Sequence, residues 1–316
     1  MVAVATETTP LAAPFLKWAG GKTQLLAHIL PALPGRMNTY YEPFIGGGAV
    51  FFALANARRF RRAVISDANA DLVEVYRTVR NRVEDLIDVL HGHAAYATDS
   101  DYYYEVRGWD VTDRSPVERA ARLIFLNRTC FNGLYRVNKQ GRFNVPFGRY
   151  KKPRVVNEEG LRSASLALQR ATIRQGDFET TTRDAKAGDA VYFDPPYVPL
   201  SDSSSFTSYH KSAFGPQEHD RLLDVYLDCM QRGVASVLSN SDCPETRKLY
   251  RGLRIKTVQA SRAINSVASK RGRINEVLVL GRTTRRVNTA KAKAALEEAS
   301  RDSALPASRS RLRRIA

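Results

Sequence analysis

The chain has 316 residues, 43% of them hydrophobic, enough for one sizeable α/β core plus a smaller accessory part, which excludes wholesale disorder. Lys and Arg number 49 against 32 Asp and Glu, a formal net charge of +17, so the expected partner is a polyanion, with nucleic acid first. No run reaches the roughly 18 apolar residues of a spanning helix, the start MVAVATETTPLAAP lacks a secretory pattern, and Cys130, Cys229, Cys243 and the His residues show no metal-ligand spacing; a soluble cytoplasmic protein with no membrane, metal or disulfide is expected.

Residues 1–14, with Pro10 and Pro14, read as a flexible leader. From Phe15 to about Asn69 the pattern gives a loop, a helix from Thr23 to Leu33, an apolar strand ending near Phe44, a glycine turn, a helix from Ala49 to Ala57 and a strand from Ala63 to Ser66. That is one βαβ unit of a parallel sheet. Leu72 to Leu126 is mainly helical; His91-Gly92-His93 closes an amphipathic stretch and reads as a helix terminus rather than a ligand pair. Between Asn127 and Pro153 basic, aromatic, Asn and Gly residues alternate without helical period, and Lys139-Gln140-Gly141 supplies the turn of a hairpin. The α/β alternation then resumes with strands at Ala171 to Arg174 and Ala190 to Phe193, a helix from Pro216 to Arg232, and strands at Ala235 to Ser239, Arg254 to Ala260 and Val277 to Leu280. The sheet, over 15–70 and 161–282, is thus split by an insertion, 71–160, long enough to be its own domain, and 283–316 is a basic tail expected to be disordered.

Glu42-Pro43-Phe44-Ile45-Gly46-Gly47-Gly48 ends a strand and opens a helix, where glycines admit a ligand close to the backbone. Asp67 follows about 20 residues later at the end of the next strand, where a carboxylate meets ribose hydroxyls in open α/β folds. There is no G-x-G-x-x-G for a pyrophosphate, and Glu42 beside the turn suits a cationic sulfonium better than a phosphate. A nucleoside cofactor is expected, with a plain turn and a helix cap as the alternative.

The apolar strand Ala190-Val191-Tyr192-Phe193 runs into Asp194-Pro195-Pro196-Tyr197, at the carboxyl end where open α/β sheets gather functional groups. The prolines remove two backbone donors, so the corner presents acceptors. An aromatic amino group attacks poorly while its lone pair is delocalised. If the Asp194 carboxylate and the Pro195 carbonyl accept its protons, the lone pair becomes available for in-line attack on a methyl sulfonium. Tyr197 would stack on the base, which must leave the duplex to reach such a corner.

Phe15-Leu16-Lys17-Trp18-Ala19-Gly20-Gly21-Lys22, the E-P-F-x-G-G-G turn and D-P-P-Y together resemble the Dam-type family of DNA adenine methyltransferases, in the motif order of its α group. The likeness extends to Asn132-Gly133-Leu134-Tyr135-Arg136, the run from Phe143 to Pro153, and Leu238-Ser239-Asn240-Ser241-Asp242. It implies a Rossmann-like, S-adenosyl-L-methionine-dependent sheet with an inserted, mainly helical target-recognition domain that carries the hairpin. It further implies methylation of the N6 amino group of a flipped adenine in double-stranded DNA, with GATC as the target. Trp18, Gly20, Lys22, Glu42, Phe44, Gly46, Asp67, Asp177, Phe178 and Asp194 would then line the cofactor, and Asp194, Pro195, Pro196 and Tyr197 would carry the chemistry. Lys17, Phe131, Asn132, Leu134, Arg136, Asn144, Pro146, Tyr150 and Lys151 fall where the family contacts DNA. Phe131 stands where relatives often carry a tyrosine, which keeps stacking and loses a hydroxyl. Such an enzyme acts as a monomer on nucleoid DNA in the cytoplasm, whether within restriction-modification, in gene regulation or for a phage. The corner chemistry would equally serve an RNA adenine or a cytosine amino group, and an inactive DNA-binding core is the alternative of another class.

Overall fold

The computed structural model describes residues 10–198, 214–261 and 273–281; the first nine residues and the basic tail lie outside them. Seven strands form one sheet: β1 (Met37–Glu42), β2 (Phe60–Asp67), β3 (Ala171–Gln175), β4 (Ala190–Phe193), β5 (Ala235–Ser241), β6 (Arg254–Ser261) and β7 (Arg273–Gly281). Their order is β3-β2-β1-β4-β5-β7-β6, with β1 to β5 parallel and β7 antiparallel to both neighbours. This is the Rossmann-like order closed by an antiparallel pair. Because side chains alternate across a strand, adjacent residues serve opposite faces. Tyr40, Tyr192, Val237 and Leu278 join one apolar cluster, while Tyr41, Val191, Phe193, Leu238 and Val279 join the other. Every residue of β4 is buried, so it reads as an unbroken apolar run.

The first face is covered by α1 (Leu26–Ala32), α2 (Ala49–Asn56) and α3 (Ala70–Asn81), and the second by α8 (Phe178–Thr182) and α9 (Pro216–Gln231). The chain leaves β1 toward β2 on one side and meets β4 on the other, so the switch point, where such sheets bind ligands, lies at the carboxyl ends of β1 and β4.

Sequence and structure differ in places with clear causes. The first expected helix is shorter: a 3₁₀ turn covers Thr23–Leu25 and α1 stops at Ala32, just after Pro31. Its open carbonyls are met by Arg59, whose guanidinium donates to Leu30, Leu33 and Pro34. β2 begins three residues before the expected start, because Phe60 packs inward while Arg61 and Arg62 face solvent. Within the expected leader, Ala12 is buried and exchanges two hydrogen bonds with Asn56, at 3.0 and 2.8 Å, so the chain is docked before Phe15.

Between β2 and β3 the chain forms α3, α4 (Val83–Ala94), α5 (Ser100–Gly108), α6 (Pro116–Thr129) and α7 (Glu158–Leu168). α6 opens on a capping box between Ser115 and Glu118, and Pro116 takes the first helical position, where its missing N–H costs nothing. These helices share one continuous apolar cluster with the first face of the sheet. His93, in the last turn of α4, is a core residue stacked on Phe125 and bonded to the Tyr102 hydroxyl, with burial pushing its pKa down to about 4. The hairpin consists of two single bridges, Cys130 with Phe147 and Val137 with Phe143, rather than regular strands. Its turn is set by Asn138, whose side-chain oxygen accepts from the N–H groups of Gln140 and Arg142. A last helix, α10 (Pro244–Leu249), joins β5 to β6.

Asn127, fully buried in α6, ties this region to the start of the chain. Its amide oxygen accepts from the Lys17 N–H at 2.8 Å, and its nitrogen donates to the carbonyls of Lys17 (2.9 Å) and Gly133 (3.0 Å). With about 1 kcal/mol net for each bond, Asn127→Ala is expected to cost on the order of 3 kcal/mol in urea unfolding. A loss under about 0.5 kcal/mol, the range of an ordinary surface change, would contradict this role.

Candidate active site

The turn after β1 has two residues in the left-handed region, Gly46 (φ +46°) and Gly48 (φ +73°). A Cβ on Gly46 would lie 3.0 Å from the Trp18 ring, and one on Gly48 2.6 Å from the Tyr76 hydroxyl, so conformation and space both require glycine. The turn is held from three sides. The Tyr76 hydroxyl donates to the Gly46 carbonyl (3.0 Å), Ile45 N–H donates to the Ser66 carbonyl (2.9 Å), and Gly46 N–H donates to Asp67 (3.2 Å). Asp67 also accepts from Asn69 N–H at 3.0 Å, so it stands at the end of β2 as part of the turn. Trp18 lies against the turn on one side and stacks on Tyr135 on the other, at 4.8 Å.

The cavity between this turn and the corner after β4 is lined by Gly20, Lys22, Glu42, Gly46 and Asp194, among others. The Lys22 ammonium, 6% exposed, lies 2.9 Å from Asp194 Oδ2 and 4.7 Å from the centre of the Tyr197 ring. Ser239 Oγ donates to Asp194 Oδ1 at 2.9 Å. Burial raises the Asp194 pKa, opposed by Lys22 and by Ser239. The Tyr197 hydroxyl donates to Glu276 on β7 at 2.6 Å, and Val198 N–H donates to the Asn240 side-chain oxygen at 3.0 Å, which fixes the chain after the two prolines. An ionised carboxylate has about four lone-pair sites, and with Lys22, Ser239 and the Tyr197 side chain placed around Asp194, one remains for a donor arriving from the cavity.

Across the carboxyl edge of the sheet, Phe44 stacks on Phe178 at 5.6 Å and Phe214 closes the group. Arg221 lies 4.1 Å over Phe178 and donates to both carboxylate oxygens of Asp177. Burial pulls the Asp177 pKa up, but Arg221 and the Glu179 N–H outweigh it and leave it below its ordinary value.

The residues expected on DNA form two groups. Lys17 lies 5.5 Å from the Tyr150 ring, next to Gly133. Phe131 is 48% exposed, its N–H donates to the Pro146 carbonyl (2.8 Å), and Asn132 beside it has φ +57°. Farther along the hairpin, Arg136 Nε donates to the Asn144 side chain at 2.7 Å and Nη2 to its carbonyl at 3.2 Å. Leu134 packs partly into the core, whereas Lys151 is exposed. The places of Tyr192, Ser239, Asn127, Arg221 and Glu276 were not legible in the sequence. Ser239 stood in a recognised motif without a role, and Tyr192 reads as one more apolar strand residue. Among the described residues no group of three or more His, Cys, Asp or Glu is placed to hold a metal, and no helix is long and apolar enough to cross a membrane.

Glu42 is fully buried and accepts from the Tyr40 hydroxyl at 2.8 Å. Burial holds its pKa well above the ordinary value, with the Asp194 charge adding to the rise and the Tyr40 bond opposing it. For an acid raised by folding, the stabilisation is complete below the unfolded pKa, about 4.3, and is lost as pH climbs toward the folded value. Glu42→Gln removes this loss, so its stability relative to wild type should grow between pH 5 and pH 8 in urea unfolding. A difference independent of pH would contradict the buried carboxyl.

Residues 18–264 match the family described as D12 class N6 adenine-specific DNA methyltransferase. The chain is 44% identical over 272 residues to Type II methyltransferase M1.LlaDCHI of Lactococcus lactis subsp. cremoris, covering 84% of this chain and 94% of that protein. It is 44% identical over 283 residues to Type II methyltransferase M.MjaIII of Methanocaldococcus jannaschii (84% and 98%), and 36% identical over 270 residues to a DNA adenine methylase of Haemophilus influenzae (84% and 93%). With its glycine turn and D-P-P-Y corner facing one cavity at the switch point of the sheet, the chain belongs to the D12 class of N6 adenine-specific DNA methyltransferases.

Proposed function

We propose that the protein transfers a methyl group from S-adenosyl-L-methionine to the N6 amino group of an adenine flipped out of duplex DNA, within the sequence GATC. The observation that carries the chemistry is the Asp194 carboxylate, held between Lys22 and Ser239 at 2.9 Å each, with the proline corner beside it. Burial raises the pKa of this carboxylate, and the two donors oppose the rise and so favour its charged form. The adenine amino group would donate one proton to Asp194 and one to the Pro195 carbonyl, which localises the nitrogen lone pair. Pro196 contributes no competing N–H, and Tyr197 gives the flipped base a face to stack on. The transfer yields N6-methyladenine and S-adenosylhomocysteine, and the displaced amino proton leaves through Asp194 to solvent.

When bound, the cofactor supplies an electrophilic methyl group on a cationic sulfur. The cavity suits it: Gly46 keeps the backbone bare beside Trp18, and the Asp194 carboxylate lines the space that a sulfonium would enter, with the buried Glu42 carboxyl beside it. On this reading Trp18, Gly20, Lys22 and Glu42 border its amino-acid part, Asp67 and Gly46 its ribose, and Phe44, Asp177 and Phe178 its base. The segment 71–160 reads the target, and the basic tail 283–316 adds phosphate contacts. Lys17, Phe131, Asn132, Leu134, Asn144, Pro146, Tyr150 and Lys151 accompany Arg136 on the DNA, and the protein acts as a monomer on the nucleoid.

Asp194→Ala should lower methyl transfer to labelled duplex DNA by more than about a hundredfold, or ~2.7 kcal/mol of barrier, while cofactor binding persists. Turnover within about tenfold of wild type would remove Asp194 from the chemistry. The target is tested separately. Arg136 gives one N–H of Nε and one of Nη2 to Asn144, which leaves three for the bidentate acceptor pair of guanine. Arg136→Ala should cost about 1–3 kcal/mol at one guanine position and relax choice there. Sequencing of modified adenines after expression in a methylation-free host should find them in GATC; adenines marked mainly elsewhere would overturn the specificity while leaving the reaction intact.

A further inference from the structure

The end of β5 touches the catalytic corner at three points. β4 and β5 run parallel with Phe193 opposite Leu238, so Ser239 falls beside Asp194. Ser239 Oγ donates to Asp194 Oδ1 at 2.9 Å, Asn240 accepts from Val198 N–H at 3.0 Å, and Ser241 Oγ donates to the Val198 carbonyl at 2.7 Å. The segment from Asp194 to Val198 is therefore held at both ends by consecutive residues of one strand. Behind Ser239 lies Tyr192, two residues before Asp194 on the same side of β4, with its hydroxyl 2.8 Å from Ser239 Oγ.

Proton counting fixes the direction of this chain. A serine hydroxyl has one hydrogen, and Ser239 gives it to a carboxylate that only accepts while ionised, so the Tyr192 hydroxyl must donate to Ser239. Tyr192 and Ser239 are both fully buried, and their mutual bond is buried with them, so no solvent competes with it. We propose that Tyr192 and Ser239 are positioning residues for the reaction: the relay Tyr192 to Ser239 to Asp194 Oδ1 fixes the carboxylate plane and supports its charged form for the incoming amino group. This rests on the methyl-transfer reading above, and it adds two residues that never touch either substrate.

The groups facing Asp194 set the expected pH behaviour. Lys22 from the N-terminal loop pairs with it, Glu42 and Tyr40 on β1 and Tyr192 on β4 lie within electrostatic range, and the Tyr197 hydroxyl lies within hydrogen-bond reach of both Asp194 and Glu276 on β7, which compete for its one hydrogen. Burial raises the Asp194 pKa, and Lys22 and Ser239 oppose that rise. Removing the Ser239 donor leaves burial less opposed, so Asp194 protonates at a higher pH.

The test uses the full-length enzyme with S-adenosylmethionine and duplex DNA, with single-turnover rates measured from pH 5 to 9. Ser239→Ala should lower the rate by about tenfold or more and move the acid limb to higher pH, with cofactor Kd and DNA affinity within about threefold of wild type, a shift worth under ~1 kcal/mol. Tyr192→Phe should move the limb the same way by less, and Ser239→Thr should restore both rate and limb. A merely structural hydroxyl would change stability and leave the limb in place, and that result overturns the proposal, as does a Ser239→Thr enzyme no better than Ser239→Ala. If Ser239→Ala does not fold, Tyr192→Phe, which keeps the ring and loses only the hydroxyl, decides by the same limb. A wild-type enzyme that transfers no methyl group to DNA overturns the functional reading itself and the relay with it, whereas an active wild type with unshifted variants overturns the relay alone.

Discussion

The ion pair between Lys22 and Asp194 is the interaction on which the site depends. A carboxylate at the end of a fully buried strand would take up a proton rather than stay charged without compensation. Here the ammonium lies 2.9 Å away and is itself almost fully buried, so each charge requires the other. The pair also joins two distant parts of the chain. Lys22 comes from the loop before α1, and that loop is held in turn by Asn127 through both backbone groups of Lys17. The acceptor after β4 is thus set by contacts that begin in the inserted helices.

The same constraint explains why the glycine turn and the proline corner share one cavity. Parallel strands β1 and β4 are neighbours, so their carboxyl ends open on the same edge. Glycine at 46 keeps the turn thin enough for Trp18 to lie on it, and Trp18 passes the packing on to Tyr135 beyond the inserted helices. Tyr135 in turn donates to Asp71 at the start of α3 at 3.0 Å, so the hairpin and the glycine turn meet through a continuous set of contacts.

Much of this was legible in the sequence because the signals were local. The run Ala190-Val191-Tyr192-Phe193 followed by two prolines announces a buried strand and its end, and Gly46 and Gly48 mark a turn that other residues do not fit. Features made by distant residues were not legible. Arg59 capping α1, Ala12 pairing with Asn56, Arg221 clasping Asp177 and Tyr192 supporting Ser239 all join positions whose meeting depends on the fold. Asp177 shows the limit well: its place after β3 was readable, yet the arginine that holds it comes from α9, more than forty residues away. The hairpin was placed by its turn residues, but only the structure reveals that two single bridges carry it.

The central claim is that Asp194 is a buried carboxylate kept charged by Lys22. The most direct measurement is a carbon-13 NMR titration of the labelled aspartate side chains, with Asp194→Asn used to assign the Asp194 signal. The account predicts a carboxylate that is ionised at pH 7 in the wild-type protein and that titrates at a distinctly higher pH in Lys22→Met. A signal already protonated at pH 7 in the wild type, or a midpoint indifferent to Lys22→Met, would contradict it.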